Sequence, residues 1–270
     1  MDEGMTRRVT RKDIVVPERE ASAHKGDHGR LLIVGGSEGL AGAPILAGLA
    51  AFRSGVDLVE VAAPWKVAWA ANAKEPSIIS HKFRCTAFSR DQVERVLELS
   101  KKADAVLVGN GLGRTRQRLA FVRALLERLG KPVVVDADAL HAVDLKRVKA
   151  KEAVFTPHKG ELAALCGASG CSEGALQQAL RAGHVVLRKG PKDTITTSSG
   201  EWVNATGAPA MAVAGTGDVL AGFCAGLLAQ GVSPEKAAVT AAYLLGKAGE
   251  KAAKRHGNFS AGELLGFLKA

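Results

Sequence analysis

The sequence is poor in aromatic residues and in long apolar runs. Aromatic side chains make up only 4% of its 270 residues, too few for the stacking platforms that bind single-stranded nucleic acids. No apolar run approaches the roughly 20 residues needed to span a bilayer. The first residues, MDEGMTRRVTRKDIVV, contain no apolar signal-peptide core. We therefore expect a cytoplasmic protein that binds neither nucleic acid nor membrane.

Cysteine is also scarce. The four cysteines, Cys85, Cys166, Cys171 and Cys224, form no CxxC pair and have no histidine at the spacing of zinc ligands. We expect reduced thiols.

The chain carries a net charge of +10. A polynucleotide, a phosphorylated small molecule or an ordinary basic surface would each account for it. The basic residues are scattered, and the densest run, DLKRVKAKE at 144–152, is typical of a solvated segment. An ordinary basic surface therefore explains the charge best.

From near residue 30 onward, short apolar runs alternate with amphipathic helical stretches. The runs are nearly all apolar, as expected of strands whose two faces are both covered by helices. The candidate strands are RLLIVGG (30–36), LVEVAAP (58–64), SIISHK (77–82), AVLVGN (105–110), PVVVDA (132–137), AVFTPH (153–158) and HVVLRKG (184–190). The pattern predicts an α/β fold, a three-layer α/β/α sandwich around a mostly parallel sheet.

The pattern changes after residue 190. DTITTSSG and EWVNATG, joined at Ser199–Gly200, predict an antiparallel hairpin at the sheet edge. Three helices are predicted to follow, at 216–230, 234–254 and 260–269. No linker, repeat or low-complexity tract interrupts the chain, which makes a single domain over residues 1–270 the economical interpretation.

Glycine-rich and polar segments follow the predicted strands at their carboxyl ends, where open α/β sheets bind ligands. They are GGSEGLAGA, GNGLGR, DADAL and TPHKGE. The GxGxxG spacing of dinucleotide-binding folds is absent, and GLLAQGVS has Val232 where a Walker loop needs lysine. Any nucleotide site here is of another type.

The segment AVAGTGDVLAG, residues 212–222, places Asp218 behind a glycine-rich turn at the start of a helix. One interpretation is a helix cap, because carboxylates suit helix amino termini. The other is a catalytic turn, in which Gly215, Thr216 and Gly217 bind phosphate through their backbone while Asp218 removes a proton. The motif alone favours the cap.

Three further segments allow a structural and a functional interpretation. GNGLGR (109–114) is either a strand-to-helix turn or a close backbone approach to a ligand, with equal weight. TPHKGE is a capped helix with an exposed histidine, or else His158 contacts substrate and Glu161 holds Mg²⁺ through water. LRKGPKDT (187–194) is either an ordinary basic segment that leads into the hairpin or a site where Lys189 reaches a phosphate.

In their order along the chain, seven segments resemble the ADP/ATP-dependent NAD(P)H-hydrate dehydratases, a branch of the ribokinase-like fold. They are HKGDHGRLLIVGGSEGLAGAPILAGLAAFRSGVDLVEVAAP, GNGLG, DADAL, TPHKGE, LRKG with the DT after it, WVNATG and GTGDVLAGFCAGLLAQG. The resemblance implies repair of (S)-NADHX and (S)-NADPHX, nicotinamide cofactors whose ring has been hydrated. ADP (to AMP) or ATP (to ADP) phosphorylates the added hydroxyl, and phosphate then leaves as the ring double bond re-forms.

The same resemblance implies roles for particular residues. Asp218 is the catalytic base, and Ala43, Gly111, His158 and Asp218 contact the hydrated dinucleotide. The residues implied to hold the adenine nucleotide are Lys189, Gly190, Pro191, Lys192, Asp193, Gly215, Thr216 and Gly217. Glu161 would help to hold Mg²⁺. His158 and Lys189 are thus expected to serve different ligands.

The sequence departs from the family pattern at two positions. Many members have proline where Asn110 stands, and many carry an aromatic residue in place of His28. The NAD(P)HX epimerase domain, often fused N-terminally in this family, has no room in this chain, so we expect it as a separate protein. The oligomeric state is left open, with a homo-oligomer among the options.

The closest rival interpretation is a small-molecule kinase of the same fold, acting on a vitamin precursor or a sugar. Such a kinase would share the GTGD turn but would release a stable phosphoester. HKGDHGR and TPHKGE argue against it, since kinases of this fold more often have asparagine at the position of His158.

Overall fold

The computed structural model describes the backbone of residues 6–168 and 173–270. Ten strands within these ranges form one sheet. They are β1 (Thr6–Arg8), β2 (Arg30–Val34), β3 (Leu58–Pro64), β4 (Ile79–Phe83), β5 (Ala105–Val108), β6 (Val133–Val135), β7 (Ala153–Phe155), β8 (Val185–Arg188), β9 (Asp193–Thr197) and β10 (Gly200–Asn204).

The strand order is β1-β10-β9-β8-β7-β6-β5-β2-β3-β4. All neighbours from β8 to β4 in this order pair in parallel, whereas β9 is antiparallel to both β8 and β10. The mostly parallel sheet and the antiparallel hairpin are therefore confirmed. The hairpin does not form the outermost edge, however, because β1 pairs in parallel with β10 outside it. The basic β1 segment, TRR, carries no apolar signal by which it could be predicted.

Nine helices in the described residues lie on the two faces of the sheet. They are α1 (Gly42–Arg53), α2 (Trp65–Lys74), α3 (Val93–Ser100), α4 (Arg116–Leu126), α5 (Lys159–Ala168), α6 (Glu173–Arg181), α7 (Thr216–Ala229), α8 (Pro234–His256) and α9 (Ala261–Leu264). Buried side chains of α1, α2, α7, α8 and α9 form one apolar core, and those of α3, α4, α5 and α6 form a second. This is the predicted three-layer α/β/α sandwich.

Two glycines hold α7 tightly against α1. A Cβ atom at Gly222 would lie 2.1 Å from the carbonyl oxygen of Ala47, and one at Gly226 would lie 2.1 Å from Ser54 Oγ. Only glycine permits this approach of one helix to the other. The contact fixes α7, and with it the turn that carries Asp218.

The structure describes the side chains of two of the four cysteines. Cys85 and Cys224 are free thiols, and burial raises the pKa of Cys224 to about 12. Cys166 and Cys171 lie outside the described side chains. In the described ranges, none of the helices combines the length and the apolar character that crossing a membrane requires.

Candidate active site

Five polar side chains converge beyond the carboxyl ends of the central parallel strands. Asn110, Asp136, Thr156 and Lys189 follow β5, β6, β7 and β8 in turn, and Asp218 lies in the first turn of α7. Strands β5 to β8 end earlier than predicted, because the four residues that follow them lie beyond the paired positions of these strands. The polar segments therefore lie at one end of the sheet, as the sequence predicted.

Asp136 is the centre of this cluster. Only 1% of the residue is exposed, and its carboxylate accepts hydrogen bonds from Asn110 Nδ2 (3.0 Å), Thr156 Oγ1 (2.7 Å) and Lys189 Nζ (2.8 Å). A buried carboxylate requires such partners. The sequence predicts no role for Asp136, although DADAL places a carboxylate directly after an apolar strand.

The backbone conformation and close packing of GNGLG require glycine at two positions. Gly109 has φ +132°, and a Cβ there would lie 1.8 Å from the carbonyl oxygen of Asp136. Gly111 has φ +71°, and a Cβ there would lie 2.5 Å from the Leu40 carbonyl oxygen and 3.2 Å from Ala43 Cβ. Two residues expected to contact the dinucleotide, Ala43 and Gly111, are therefore neighbours.

Asp218 is bound to Asn110 rather than acting as the cap of its own helix. Asn110 Nδ2 donates to Asp218 Oδ1 at 2.7 Å, and the N-cap position of α7 is Gly215, with no side-chain cap. Burial raises the pKa of Asp218 to about 6; the hydrogen bond from Asn110 opposes this rise, and the charge of Asp136 adds to it. A carboxyl in this range suits a general base near neutral pH.

The turn before Asp218 faces Lys189. Gly215 has φ +96°, a left-handed conformation that favours glycine, and a Cβ at Gly217 would lie 3.4 Å from Lys189 Nζ. The Thr216 hydroxyl donates to the carbonyl oxygens of Met211 and Val213. The amino-terminal turn of α7 and the Lys189 ammonium thus converge, an arrangement that suits an anion.

Lys189 is held in its charged form. Its side chain is 19% exposed, and Nζ lies 2.8 Å from Asp136 Oδ1 and 3.5 Å from Glu161 Oε2. Burial by itself would lower the pKa of the ammonium, but the two carboxylates outweigh it and raise the pKa. Lys189 therefore offers a fixed positive charge at the mouth of the anion site.

His158 and Glu161 bind each other around the start of α5. The Glu161 carboxylate accepts from the His158 backbone N–H at 2.8 Å, and His158 Nδ1 accepts from the N–H of Gly160 at 2.9 Å. The imidazole side chain remains 60% exposed. Locally this is the capped helix with an exposed histidine that the sequence allowed.

The structure places His158 beside Lys189, two residues for which the family resemblance implies different ligands. The two residues pair in an isolated parallel β-bridge, and the Lys189 N–H donates to the Pro157 carbonyl oxygen at 2.8 Å. They line the same cavity. Adjacent strand ends of β7 and β8 bring them together.

This cavity has a volume of about 730 Å³. Its lining includes seven of the predicted site residues: His158, Lys189, Gly190, Pro191, Asp193, Thr216 and Gly217. Lys192 is exposed and outside the lining. Sequence reasoning missed the apolar wall, which comes from Pro209, Met211 and Leu220 and from Ala242 and Leu245 of α8.

Asp193 shapes the loop at the cavity's edge. Its carboxylate accepts from the Gly190 N–H and from Asn204 Nδ2, each at 3.1 Å. Burial raises the pKa of Asp193, against these hydrogen bonds and the nearby ammonium of Lys189. The contacts close the Gly190–Asp193 turn over the cavity.

His28 lies far from these residues along the strands. Its backbone N–H and that of Gly26 donate to the Asp57 carboxylate, just before β2 begins. The active-site groups follow the carboxyl ends of the parallel strands instead. The position of His28 therefore gives it no contact with the candidate site.

No group of three or more histidine, cysteine, aspartate or glutamate side chains in the described ranges is arranged to hold a metal ion. Mg²⁺ commonly uses only one or two carboxylates, with water and substrate phosphates completing its shell. Glu161, buried beside Lys189, is compatible with that kind of site.

A mostly parallel sheet between helices, with a glycine-rich turn opening a helix beside a strand-end lysine, defines the ribokinase-like class of fold. Comparison with known proteins narrows the class. A family model described as NAD(P)H-hydrate dehydratase matches residues 31–267. The chain belongs to that family.

Two relatives and one solved structure support this assignment. The bifunctional NAD(P)H-hydrate repair enzyme of Methanothermobacter thermautotrophicus is 40% identical over 266 residues, which are 94% of this chain and 51% of the relative. The ADP-dependent (S)-NAD(P)H-hydrate dehydratase of Cenarchaeum symbiosum is 37% identical over 250 residues, 90% of this chain and 87% of the relative. The Bacillus subtilis ADP/ATP-dependent NAD(P)H-hydrate dehydratase, crystallised with ATP and Mg²⁺, superimposes with a TM-score of 0.78 at 29% identity, covering 93% and 92% of the two chains.

The chain spans about half the length of the bifunctional relatives that it matches. Its similarity to the Cenarchaeum symbiosum protein covers most of both chains. The match therefore concerns the dehydratase part of this family.

Proposed function

We propose that this protein dehydrates (S)-NADHX and (S)-NADPHX to NADH and NADPH, coupled to conversion of ADP to AMP, or ATP to ADP, with release of phosphate. Family membership supports the substrates. One observation in the site carries the mechanism: the carboxylate of Asp218 stands beside an anion site made by Lys189 and the start of α7.

The cavity of about 730 Å³ supports the position of the nucleotide. Its volume is in the range of small-molecule sites, and its lining combines charged and apolar residues. Lys189 and Gly217 line one part, where phosphate would meet the ammonium and the helix N–H groups. Pro209, Met211 and Leu245 line an apolar part that suits an adenine ring.

The reaction has two steps in this proposal. The ring hydroxyl oxygen attacks the terminal phosphorus of the nucleotide, Asp218 accepts the hydroxyl proton, and AMP or ADP leaves. The C–O bond then breaks and phosphate departs with the electron pair of that bond. The neighbouring ring carbon releases a proton to solvent as the double bond re-forms. Lys189 and the N–H groups of the α7 turn stabilise the charge on the transferring group.

The residues implied by the family resemblance keep their proposed roles. Ala43, Gly111, His158 and Asp218 would contact the hydrated dinucleotide, and a Cβ added at Gly111 would lie 3.2 Å from Ala43 Cβ. Glu161 would hold Mg²⁺ through water, and the bound ion would neutralise nucleotide phosphate charge. A separate epimerase and a cytoplasmic location remain predictions.

The test is to incubate the protein with NADHX, Mg²⁺ and either ADP or ATP, and to follow NADH absorbance and phosphate release together. We expect both signals to rise in equal amounts. A kinase of the same fold would instead consume nucleotide and accumulate a phosphoester without free phosphate. Asp218→Asn serves as the matched control, since it removes the base and keeps the shape.

A further inference from the structure

Asn110 bridges the two carboxylates of the site. The residue is fully buried, and its Nδ2 lies 2.7 Å from Asp218 Oδ1 and 3.0 Å from Asp136 Oδ2. An amide nitrogen has two hydrogens, so it can donate one to each carboxylate. Nothing in the roles assigned above uses this side chain.

The orientation of the Asn110 amide follows from its neighbours. Ionised carboxylates only accept hydrogen bonds, so the nitrogen and not the oxygen has to face them. Asn110 Oδ1 is left buried without a partner among the described residues.

Several charges face Asp218 from the surrounding elements. Asp136, after β6, and Asp138, in the short 3-10 helix Ala137–Ala142, disfavour its ionisation, whereas Lys189, after β8, favours it. Asn110 donates directly to the carboxylate at 2.7 Å. The same amide also donates to Asp136, so Asn110 lies between the two carboxylates and binds each through a different N–H.

We propose that Asn110 is the positioning residue of the base: it aims the Asp218 carboxylate and stabilises its charged form against the neighbouring Asp136. The proposal rests on the proposed base role of Asp218. In substrate turnover, the amide keeps Asp218 able to accept the hydroxyl proton at neutral pH, and its second N–H couples the base to the Asp136–Lys189 pair.

The experiment compares pH profiles of kcat for the wild type, Asn110→Ala and Asn110→Leu. Both substitutions remove the amide that stabilises the ionised Asp218 carboxylate. The pKa that defines the acidic limb of the kcat profile should therefore rise by about one unit. The nucleotide KM should change less than kcat at neutral pH. Thr156→Val is the matched control, because it removes a buried hydrogen bond to Asp136 without touching Asp218; its acidic limb should stay closer to that of the wild type.

A second readout separates this proposal from the proposed function. Asp218 is titrated in the ligand-free protein by ¹³C NMR of aspartate carboxyls, with Asp218→Asn identifying its signal. An upward move of the Asp218 midpoint in a folded Asn110 variant supports the proposal even if NADHX is not turned over, a result that would refute the proposed function alone. An unchanged midpoint and an unchanged acidic limb in a folded variant would overturn the role of Asn110.

Discussion

Two carboxyl groups at opposite ends of the parallel strands have pKa values shifted in opposite directions. Glu60 of β3 lies toward the amino ends of the parallel strands, where it pairs with His81 and Arg30. The hydrogen bond from His81 lowers the pKa of Glu60. At the carboxyl ends, burial raises the pKa of Asp218. Glu60 has two basic partners, whereas the side-chain partner of Asp218 is the neutral amide of Asn110.

The two pKa shifts have opposite effects on the stability of the fold. A carboxylate with a lowered pKa stabilises the fold at neutral pH, whereas one with a raised pKa destabilises it. Asp218 has one amide donor and a second carboxylate nearby, an arrangement that suits a group which must accept a proton. Glu60 and its partners stabilise the amino ends of the strands, and the carboxyl ends carry the residues that we propose to react.

The sharpest test of this comparison is loss of the Asp218 carboxylate. Asp218→Asn should lower kcat by about 10²- to 10⁴-fold, the usual contribution of a general base, and should leave nucleotide binding largely intact because the backbone anion site remains. Steady-state assays of NADH formation and calorimetric titration with ADP measure the two effects. Glu60→Gln is the control at the other end and should keep kcat near the wild-type value. Near-wild-type turnover by Asp218→Asn would contradict the assignment.

Removal of the Lys189 ammonium should have the next largest effect. Lys189→Ala takes a charged donor from the anion site, and a hydrogen bond to a charged group is worth about 1.5–3 kcal/mol. We expect the nucleotide KM to rise by about 10- to 150-fold, with the KM for NADHX changed less.

Two controls accompany this measurement. Lys251→Ala removes an equal charge from an exposed position on α8 and should leave the nucleotide KM unchanged. His158→Ala shows whether the adjacent histidine serves the dinucleotide, the nucleotide or both, since it lines the same cavity. Equal loss of both affinities in the His158 and Lys189 variants would show that the two sites are not divided.

The sheet was predictable because its strands carry their own signal. Buried parallel strands such as β2 and β5 are continuous apolar runs, and the glycine-rich segments follow them at one edge. β1 was missed because three exposed polar residues, TRR, form a strand only when β10 is there to pair with. Pairing with a strand that is distant in sequence produces no pattern in the local sequence.

The candidate site was predictable only where the chain is locally unusual. Gly215, Gly217 and Asp218 lie in a compact motif, and the structure brings them to Lys189. Asp136 and the apolar wall at Leu245 were missed, because a single buried carboxylate and an ordinary helical leucine have no distinguishing pattern. Their roles arise from three-dimensional proximity alone.

The stability of the two carboxylate variants should depend on pH in opposite ways. The Asp218 pKa rises from 3.8 to about 6 on folding, so the wild type loses stability as pH increases through this interval. Asp218→Asn should therefore be more stable than the wild type by up to about 3 kcal/mol at pH 8, with most of the gain absent at pH 4. Urea unfolding at both pH values measures this difference.

Substitution of Glu60 should change the pH dependence of stability in the opposite direction. Its pKa is lowered in the folded protein, so its contribution is present above the ordinary glutamate pKa and disappears as pH falls through the lowered value. Glu60→Gln should destabilise the protein at pH 8 and less so at acidic pH. A gain of stability in both variants, or in neither, would remove the contrast between the two ends of the sheet.

The smallest expected effect is at Gly217, where the site and the fold meet. A Cβ there would lie 3.4 Å from Lys189 Nζ, an ordinary contact, and the position is helical. Gly217→Ala should therefore fold normally and gain a few tenths of a kcal/mol or more from reduced backbone entropy. The same methyl group enters the space between the ammonium and the α7 turn, so we expect the nucleotide KM to rise several-fold, and further in Gly217→Val. Gly262→Ala in α9, where the added Cβ meets only Ser260 Oγ at 3.8 Å, should change stability without changing KM. Unchanged nucleotide KM in folded Gly217→Ala and Gly217→Val would mean that the turn is a helix start and nothing more.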